Sequence, residues 1–344
     1  MNTSRATTDA PAPVPGPAPV PAQARGTVLV TSRSFSSGSR DLVAELAAGG
    51  LTVVRGPATH DLAALAEPLA AAVAWIAGTG PVTEDHLARA PRLRVLARYG
   101  VGVDAVDLAA AARRGVTVTN TPGANSDAVA EHAIGLLLAA LRGIVAGDRG
   151  VRSGDWGVRR GRELGSLTLG VVGFGRIGQA VARRLTGFGT EVLAHDPYLR
   201  RDDAGALGVR PASLEELAAD CDAVSLHAPG GHRVVDAAWL ERARPGQVIV
   251  NTARADLVDE AAVAAALRSG RLGGYAADTL SAEGTDAGSP LLADDLAQRV
   301  VITPHIGAQT VEAVDRMGSA ATADVLAVLS GAGPAHPVRV QEEK

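Results

Sequence analysis

Cysteine, excess positive charge and long apolar runs are all scarce in this sequence. The one cysteine, Cys221, excludes a disulfide framework within the chain and a cysteine-based zinc site, and we predict no metal site of any kind. A net charge of −4 gives no basic field, so nucleic acid is not an expected partner. No run of about 18 uninterrupted apolar residues occurs, which argues against a membrane span. We therefore expect a soluble, cytoplasmic protein.

Alanine and proline dominate residues 1–25, and this segment has no continuous apolar stretch. Such a composition cannot bury a core of its own, and it lacks the apolar region of a secretory signal. We expect residues 1–25 to form a disordered tail.

The rest of the chain alternates short apolar runs with amphipathic stretches. The runs predicted to be strands are 27–31, 51–54, 72–77, 93–97, 116–119, 169–172, 191–195, 223–227, 247–251, 274–277 and 300–302. Strand–helix alternation of this kind predicts parallel sheets with helices on both faces, and right-handed crossovers make such sheets doubly wound. The predicted fold class is therefore α/β with two doubly wound parallel sheets. The predicted helices include 61–70, one long helix over 126–147 and a last helix over 311–330, after which residues 334–340 return to the first sheet.

A glycine-rich turn follows the predicted strand 169–172. Gly173, Gly175 and Gly178 stand in the G-x-G-x-x-G spacing, which allows a sharp turn, a close approach of backbone to a pyrophosphate, and tight packing of helix on strand. The N-terminus of the next helix offers free N–H groups to phosphates. Asp196, after the following strand, stands where a carboxylate binds an adenosine ribose. The motif predicts a dinucleotide site, with a purely structural turn as the alternative.

Four polar residues follow later strands of the same predicted sheet. Arg254 comes after strand 247–251, Asp278 ends the next strand, Glu283 lies in the loop after it, and His305 follows the last strand. Open α/β sheets bind ligands at the carboxyl ends of their strands, so these side chains can converge on one crevice. An arginine can hold a carboxylate, and a histidine beside an acid can carry a proton. The set suits hydride exchange with a 2-hydroxy acid; the simpler alternatives are a surface arginine and a helix-capping histidine.

Several motifs in a fixed order resemble the D-isomer-specific 2-hydroxyacid dehydrogenases, a family that includes 3-phosphoglycerate dehydrogenase. Besides the glycine turn, the motifs are 99–104, 120–123 with 129–131, 226–229, 251–254 with 258–260, and 303–307. The resemblance covers nearly everything after the tail. It implies a Rossmann NAD-binding domain of residues 122–307 inserted into a flavodoxin-like substrate domain of residues 26–121 and 308–344. It also implies the short form of the family, without a regulatory domain.

The resemblance implies roles for individual residues. Arg254, Glu283 and His305 would form the catalytic set, and Arg254 would bind the substrate carboxylate together with the backbone N–H groups of Val101 and Gly102. The residues that would bind the cofactor are Gly173, Gly175, Arg176, Ile177, Gly178, Asp196, Pro229, Ala253 and Asp278.

The expected cofactor is NAD. Asp196 would repel the 2′-phosphate of NADP, although Arg200 and Arg201 follow closely and work against that preference. Asp278 would bind the nicotinamide carboxamide. His132 and His227 are expected to pack or to form hydrogen bonds rather than to catalyse.

The implied activity is interconversion of a D-2-hydroxy acid and its 2-oxo acid by a homodimer, with residues 127–147 as a candidate contact that could equally be buried in the monomer. The substrate would be 3-phosphoglycerate, hydroxypyruvate, glyoxylate or a related small acid. Two alternatives stay open, namely oxidation of another small anion such as phosphite and a dinucleotide-sensing role like that of the corepressors with this fold. Formate is disfavoured because formate dehydrogenases carry glutamine where Glu283 stands.

The sequence departs from the family pattern in three places. Gly284 follows Glu283 where proline is usual. The loop 230–235, after Pro229, is shorter than usual by a few residues, which could alter cofactor binding. Asp256 adds a carboxylate near the substrate crevice, which we expect to disfavour dianionic phosphorylated substrates through like-charge repulsion.

Overall fold

Two parallel β-sheets organise the chain, as the alternation of strands and helices predicts. The computed structural model describes residues 26–283 and 288–338, so the predicted tail of residues 1–25 lies outside the described residues. The first sheet has five parallel strands in the order β2-β1-β3-β4-β5. These strands are β1 (Gly26–Val30), β2 (Leu51–Arg55), β3 (Ala72–Ala77), β4 (Val95–Arg98) and β5 (Thr117–Thr119).

The second sheet has seven parallel strands in the order β12-β11-β10-β9-β6-β7-β8. They are β6 (Thr168–Val172), β7 (Glu191–His195), β8 (Arg210–Pro211), β9 (Ala223–Leu226), β10 (Gln247–Asn251), β11 (Leu272–Ala277) and β12 (Val300–Ile302). The chain runs outward from β6 to β8 and then returns to the other side of β6 at β9. Such a reversal of strand order opens a crevice at the carboxyl ends of β6 and β9. The two sheets confirm the predicted fold class.

Helices connect most of the strands and cover the sheets. They are α1 (Leu42–Ala48), α2 (Ala66–Ala71), α3 (Glu84–Ala88), α4 (Leu108–Arg113), α5 (Ser126–Arg142), α6 (Ile144–Arg152), α7 (Arg176–Leu185), α8 (Arg201–Ala206), α9 (Leu214–Asp220), α10 (Ala237–Arg242), α11 (Glu260–Ser269) and α12 (Val311–Leu329). Helix α5 packs on α7 and on strands β10 and β11, whereas α12 packs on β4 and α1. The last helix therefore completes the first sheet, not the second.

The core lies where the sequence has its uninterrupted apolar runs. Strands β9 and β10 are buried along their whole lengths, which is typical of parallel strands covered on both faces. Cys221, just before β9, is fully buried, and its burial raises the pKa of the thiol to about 12. The thiol therefore stays protonated at neutral pH and packs as an apolar group.

The prediction of one helix over 126–147 was wrong. Helix α5 ends at Arg142, and Gly143 follows with φ of 60°, in the left-handed region that glycine adopts without steric strain. A second helix, α6, then starts at a bend of 60°. Among the described residues, no single helix is long and apolar enough to cross a membrane, although α5 and α6 taken together across their bend meet that test by length and composition.

Two smaller expectations also need correction. The predicted helix 61–70 begins only at Ala66, because residues 62–65 form turns in which the Asp61 carboxylate accepts the N–H of Ala64. Strand β8 was not predicted, since it has two exposed residues and no apolar run.

The end of the described chain returns to the first sheet, as predicted. Pro337 forms a β-bridge with Thr119, and the N–H of Val338 donates to the carbonyl of Val118. Residues 339 and 340 lie outside the described part. This return agrees with a discontinuous first domain, whose boundaries at residues 121 and 308 stay a prediction.

Candidate active site

The glycine-rich turn lies at the point where the strand order of the second sheet reverses. Gly173 has φ of 86°, and a Cβ there would come within 2.7 Å of the backbone of His227 and Ala228. Gly178 leaves no room for a Cβ beneath the carbonyl of Gly173. Both positions therefore require glycine. The two glycines allow the start of α7 to pack closely on β6.

The start of α7 has the features of a phosphate site. In the described part of the chain, no side chain caps this helix, and a Cβ on Gly175 would meet nothing within 4 Å. Open space above uncapped N–H groups at the positive end of a helix fits a pyrophosphate. The turn therefore fits the predicted dinucleotide. Arg176 is exposed and lies against Gly123, and Ile177 is half-buried against the core of this sheet.

Asp196 is tied to the glycine turn by its own side chain. Its Oδ2 accepts the N–H of Phe174 at 2.7 Å, and its Oδ1 accepts the N–H of Tyr198 at 2.8 Å. The carboxylate is half-buried beside the turn. It thus stands next to the phosphate site, and each oxygen keeps a second lone pair for a ribose hydroxyl.

Arg254 is presented by a short turn after β10 that Asn251 builds. The buried Asn251 side chain accepts the N–H of Ala253 at 3.0 Å and donates to the carbonyl of Arg254 at 2.8 Å. The guanidinium then reaches toward the first sheet, where its Nε donates to Asp104 Oδ2 at 2.8 Å. Its Nη1 donates to the carbonyl of Ala253.

The loop 100–104 of the first sheet meets the Arg254 guanidinium. Asn120 holds this loop by donating to the carbonyl of Val101 at 2.8 Å. A Cβ on Gly102 would overlap Arg254 Nη2, so backbone and guanidinium are in direct contact there. The structure therefore brings together Arg254, Val101 and Gly102, which the sequence had grouped only through the family resemblance.

A second arginine, Arg98, lies beneath the same loop. Its Nη1 donates to the carbonyls of Ala77 and Tyr99, and the side chain is buried. The pKa of Arg98 is lowered to about 10, mainly by burial and further by the charge of Arg254, while Asp104 works in the opposite direction. Arg98 is still cationic at neutral pH and adds positive potential under the loop.

His305 and Glu283 form the pair that the sequence predicts. His305 Nδ1 lies 2.8 Å from Glu283 Oε1 and 2.9 Å from Oε2. An ionised carboxylate can only accept, so Nδ1 carries the proton and Nε2 is the nitrogen left to exchange one. His305 also has φ of 55°, an uncommon conformation for a residue with a side chain, and such strain is frequent at functional sites.

Asp278 holds the turn that carries His305. It is buried, and it accepts hydrogen bonds from the N–H groups of Ile306 and Gly307 and from the Thr303 hydroxyl. Burial raises the pKa of Asp278, but the hydrogen bonds that it accepts outweigh this effect and bring the pKa below its ordinary value. Asp278 is therefore an ionised anchor for the turn, and its predicted contact with the carboxamide stays a prediction.

His132 belongs to the hydrogen-bond network of Asp278 and Thr303. The sequence predicted hydrogen bonding for His132 but not these partners. Its Nε2 lies 2.9 Å from the Thr303 hydroxyl and 3.3 Å from Asp278 Oδ1. Because the Thr303 hydroxyl donates to Asp278, Nε2 is the donor toward Thr303. The prediction that His132 forms hydrogen bonds rather than catalysing agrees with this position on α5, behind the His305 turn.

The Asp256 side chain is hydrogen-bonded to the short loop after Pro229. Asp256 Oδ2 accepts the N–H of Gly231 at 2.7 Å, and a Cβ on Gly230 would lie 3.3 Å from the Arg254 side chain. The Asp256 carboxylate therefore lies between this loop and the Arg254 side chain. Its expected repulsion of a substrate phosphate stays a prediction.

These side chains follow neighbouring strands of one sheet. Arg254 follows β10, Asp278 follows β11 and His305 follows β12, and these three strands are adjacent in that order. Among residues 26–283 and 288–338, no group of three or more His, Cys, Asp or Glu side chains could hold a metal ion.

The chain matches known proteins over most of its length. Residues 134–307 match the family described as D-isomer specific 2-hydroxyacid dehydrogenase, NAD binding domain. The chain is 44% identical to a D-3-phosphoglycerate dehydrogenase of Mycobacterium tuberculosis over 256 residues, which are 73% of this chain and 48% of that protein. It is 36% identical to a glyoxylate reductase of Korarchaeum cryptofilum over 77% of this chain and 82% of that protein.

A solved structure shares the fold over most of the chain. The TT0316 protein from Thermus thermophilus aligns with a TM-score of 0.82 and 38% identity, over 91% of this chain and all of that one. The chain spans about half the length of the phosphoglycerate dehydrogenases that it matches.

Fold and site together define an α/β protein with a dinucleotide-binding turn and a row of polar side chains at the adjoining strand ends. The chain belongs to the D-isomer specific 2-hydroxyacid dehydrogenase family.

Proposed function

We propose that this protein interconverts a D-2-hydroxy acid and the corresponding 2-oxo acid by hydride transfer with NAD. The observation that carries the proposal is the His305–Glu283 pair, which follows β11 and β12 next to the Arg254 strand in the sheet that also bears the glycine turn. A proton carrier and a carboxylate-binding cation beside a dinucleotide site are the groups that this reaction needs.

In the proposed mechanism, Arg254 and the N–H groups of Val101 and Gly102 hold the substrate carboxylate. His305 gives a proton from Nε2 to the keto oxygen in reduction and takes it back in oxidation. Glu283 keeps Nδ1 protonated and stabilises the imidazolium of the charged state. The nicotinamide, when bound, supplies or accepts the hydride. Loops of both sheets line the site. An approach of the two sheets would therefore exclude water from the reacting atoms.

NAD is the proposed cofactor in preference to NADP. Asp196 lies beside the glycine turn and would repel a 2′-phosphate. Catalytic efficiency should therefore be higher with NADH than with NADPH, and the reverse order would contradict this preference.

The proposed substrate is a small 2-oxo acid such as hydroxypyruvate, glyoxylate or the 2-oxo acid formed from 3-phosphoglycerate. The last two follow from what the relatives are named for, a glyoxylate reductase and D-3-phosphoglycerate dehydrogenases. At the carboxyl end of β3, the loop of Gly78, Thr79 and Gly80 carries no charged side chain. Arg98, buried under the loop 100–104, adds positive potential there.

A homodimer is also proposed, with its contact on α6, which begins inside the predicted region 127–147, and on the segment after α6. Most apolar side chains of α5 are buried in the monomer, whereas none of the α6 side chains is buried in the described chain. Trp156 and Val158, just beyond α6, are 76% and 98% exposed. Trp156 borders a groove of about 240 Å³ beside α6, and exposed apolar groups such as Trp156 and Val158 favour association.

The test is an NADH absorbance assay with glyoxylate, hydroxypyruvate and 3-phosphohydroxypyruvate, each repeated with NADPH. At least one acid should be reduced, and His305→Gln should lower kcat by about 100-fold to 10,000-fold while NADH binding is kept. NADH binding without turnover of any 2-oxo acid would contradict the proposal and favour a dinucleotide-sensing role.

A further inference from the structure

Arg254 is held from the opposite sheet by a carboxylate that none of the predicted roles includes. Asp104 lies in the loop after β4 of the first sheet, and Arg254 lies in the turn after β10 of the second. Their ion pair, Nε to Oδ2 at 2.8 Å, joins residues 150 positions apart in the sequence. It therefore links the two sheets across the site.

The other contacts of the guanidinium show what this ion pair does. Nη1 donates to the carbonyl of Ala253, so two of the three guanidinium nitrogens are occupied by the protein. Among the described residues Nη2 donates no hydrogen bond, and it lies directly against Gly102. The Nη2 edge is thus the one turned toward the backbone where the substrate carboxylate is expected to bind.

The ion pair is too exposed to matter much for stability. The Asp104 side chain is 58% exposed and that of Arg254 is 38% exposed, and pairs of this kind contribute little to folding. A second exposed pair, Arg268 with Asp295, offers a comparison away from the site. An effect of Asp104 on the reaction would therefore have to come from the orientation of Arg254.

We propose that Asp104 is a positioning residue that orients the Arg254 guanidinium, so that Nη2 faces the substrate carboxylate when the two sheets approach. The inference rests on the proposed function. Asp104 occupies Nε and prevents the guanidinium from binding the carboxylate through its Nε edge, in a pose that would displace the keto group from His305. Loss of Asp104 should lower kcat, because the guanidinium is then no longer oriented. It should not weaken the attraction for the substrate anion, because Asp104 offsets part of the Arg254 charge.

The test compares Asp104→Ala and Asp104→Glu with the wild-type chain, using the 2-oxo acid that the wild type reduces fastest. We expect Asp104→Ala to lower kcat at least tenfold, with KM for the oxo acid unchanged or lower and KM for NADH within twofold. Asp104→Glu restores the carboxylate and should recover kcat to within about threefold of the wild type. The control Asp295→Asn, which breaks the matched exposed pair, should leave kcat unchanged.

Rates are normalised to NADH-binding sites measured by fluorescence, so that a poorly folded fraction of a variant is not counted. A kcat of Asp104→Ala that is less than tenfold below that of the wild type overturns the proposal. So does an equal loss in Asp104→Ala and Asp104→Glu, which would indicate loop packing instead of charge. If the wild type reduces no 2-oxo acid, the proposed function fails, and the inference that rests on it fails with it. If the wild type is active but Asp104→Ala is equally active, only the role of Asp104 is lost.

Discussion

At this site, the backbone conformation around each functional residue decides where its side chain lies. Arg254 was predicted from its place after a strand, and the structure shows the turn that presents it, built by the buried side chain of Asn251. Asp104 ends the motif 99–104, but the sequence assigns it no role, because its contact with Arg254 spans 150 positions and depends on how the two sheets approach. No local sequence pattern carries that information.

Gly102→Ala tests the contact between the substrate loop and Arg254. The added Cβ would overlap Arg254 Nη2, so the guanidinium has to move. A displacement of this kind should lower kcat/KM for the oxo acid by about 100-fold, with little change in KM for NADH. Steady-state kinetics of Gly102→Ala and of the control Gly135→Ala, where a Cβ meets nothing within 4 Å, would measure the effect. Equal kinetics in both variants would refute the contact.

His60 should make the stability of the first sheet depend on pH. It is buried, and Thr31 and Pro81 occupy its two ring nitrogens. Burial lowers the pKa of His60 from 6.5 to about 4. Between pH 6.5 and pH 4, His60 is therefore protonated in the unfolded chain but neutral in the folded chain. Stability is therefore complete above the unfolded pKa and is lost as the pH falls from about 6.5 to about 4, by about 2 kcal/mol at pH 5.

The variant His60→Asn removes this titration, and asparagine tolerates the φ of 57° found at this position. The apparent Tm should fall less between pH 7 and pH 5 in His60→Asn than in the wild type, whereas the exposed His232→Asn should behave as the wild type does. An identical fall in all three proteins would show that His60 does not contribute.

At the scale of elements, strands were predicted better than helices for a physical reason. Parallel strands such as β9 and β10 are buried on both faces, so each appears in the sequence as an unbroken apolar run. The continuation of α5 beyond Arg142 was predicted wrongly because residues 144–152 have helical periodicity of their own. The bend at Gly143 depends on one backbone angle, which a hydrophobic pattern does not report.

Two glycines of this helical region should respond in opposite ways to alanine. Gly135 lies inside α5 with open space for a Cβ, so Gly135→Ala should raise the free energy of unfolding by about 0.5–1 kcal/mol. Gly143 has φ of 60°, so Gly143→Ala should lower it by about 1–2 kcal/mol. Urea unfolding followed by circular dichroism would measure both. Destabilisation by both variants, or by neither, would contradict the backbone assignment at the bend.

At the scale of the whole molecule, the site is assembled from parts that the chain order separates. The second sheet supplies the glycine turn, Arg254 and His305, while the first supplies the loop 100–104 and is completed by α12 and residues 334–338. The resemblance of the motifs predicted this arrangement in outline. Contacts between the halves, such as Arg254 with Asp104, could not be predicted, because they depend on the relative position of two independently packed cores.

The surface of α6 and the segment after it should control association of two chains. Trp156 and Val158 expose large apolar side chains to solvent. Covering such side chains with a second protein surface removes apolar area from water and so stabilises association. Light scattering after gel filtration should give about twice the chain mass of 34.8 kDa for the wild type. Trp156→Ser should shift the mass toward the single chain, while Phe188→Ser, at another exposed apolar position, should not. A wild type that elutes as a single chain at all concentrations would contradict the dimer, and a dimer equally weakened by both variants would place its contact elsewhere.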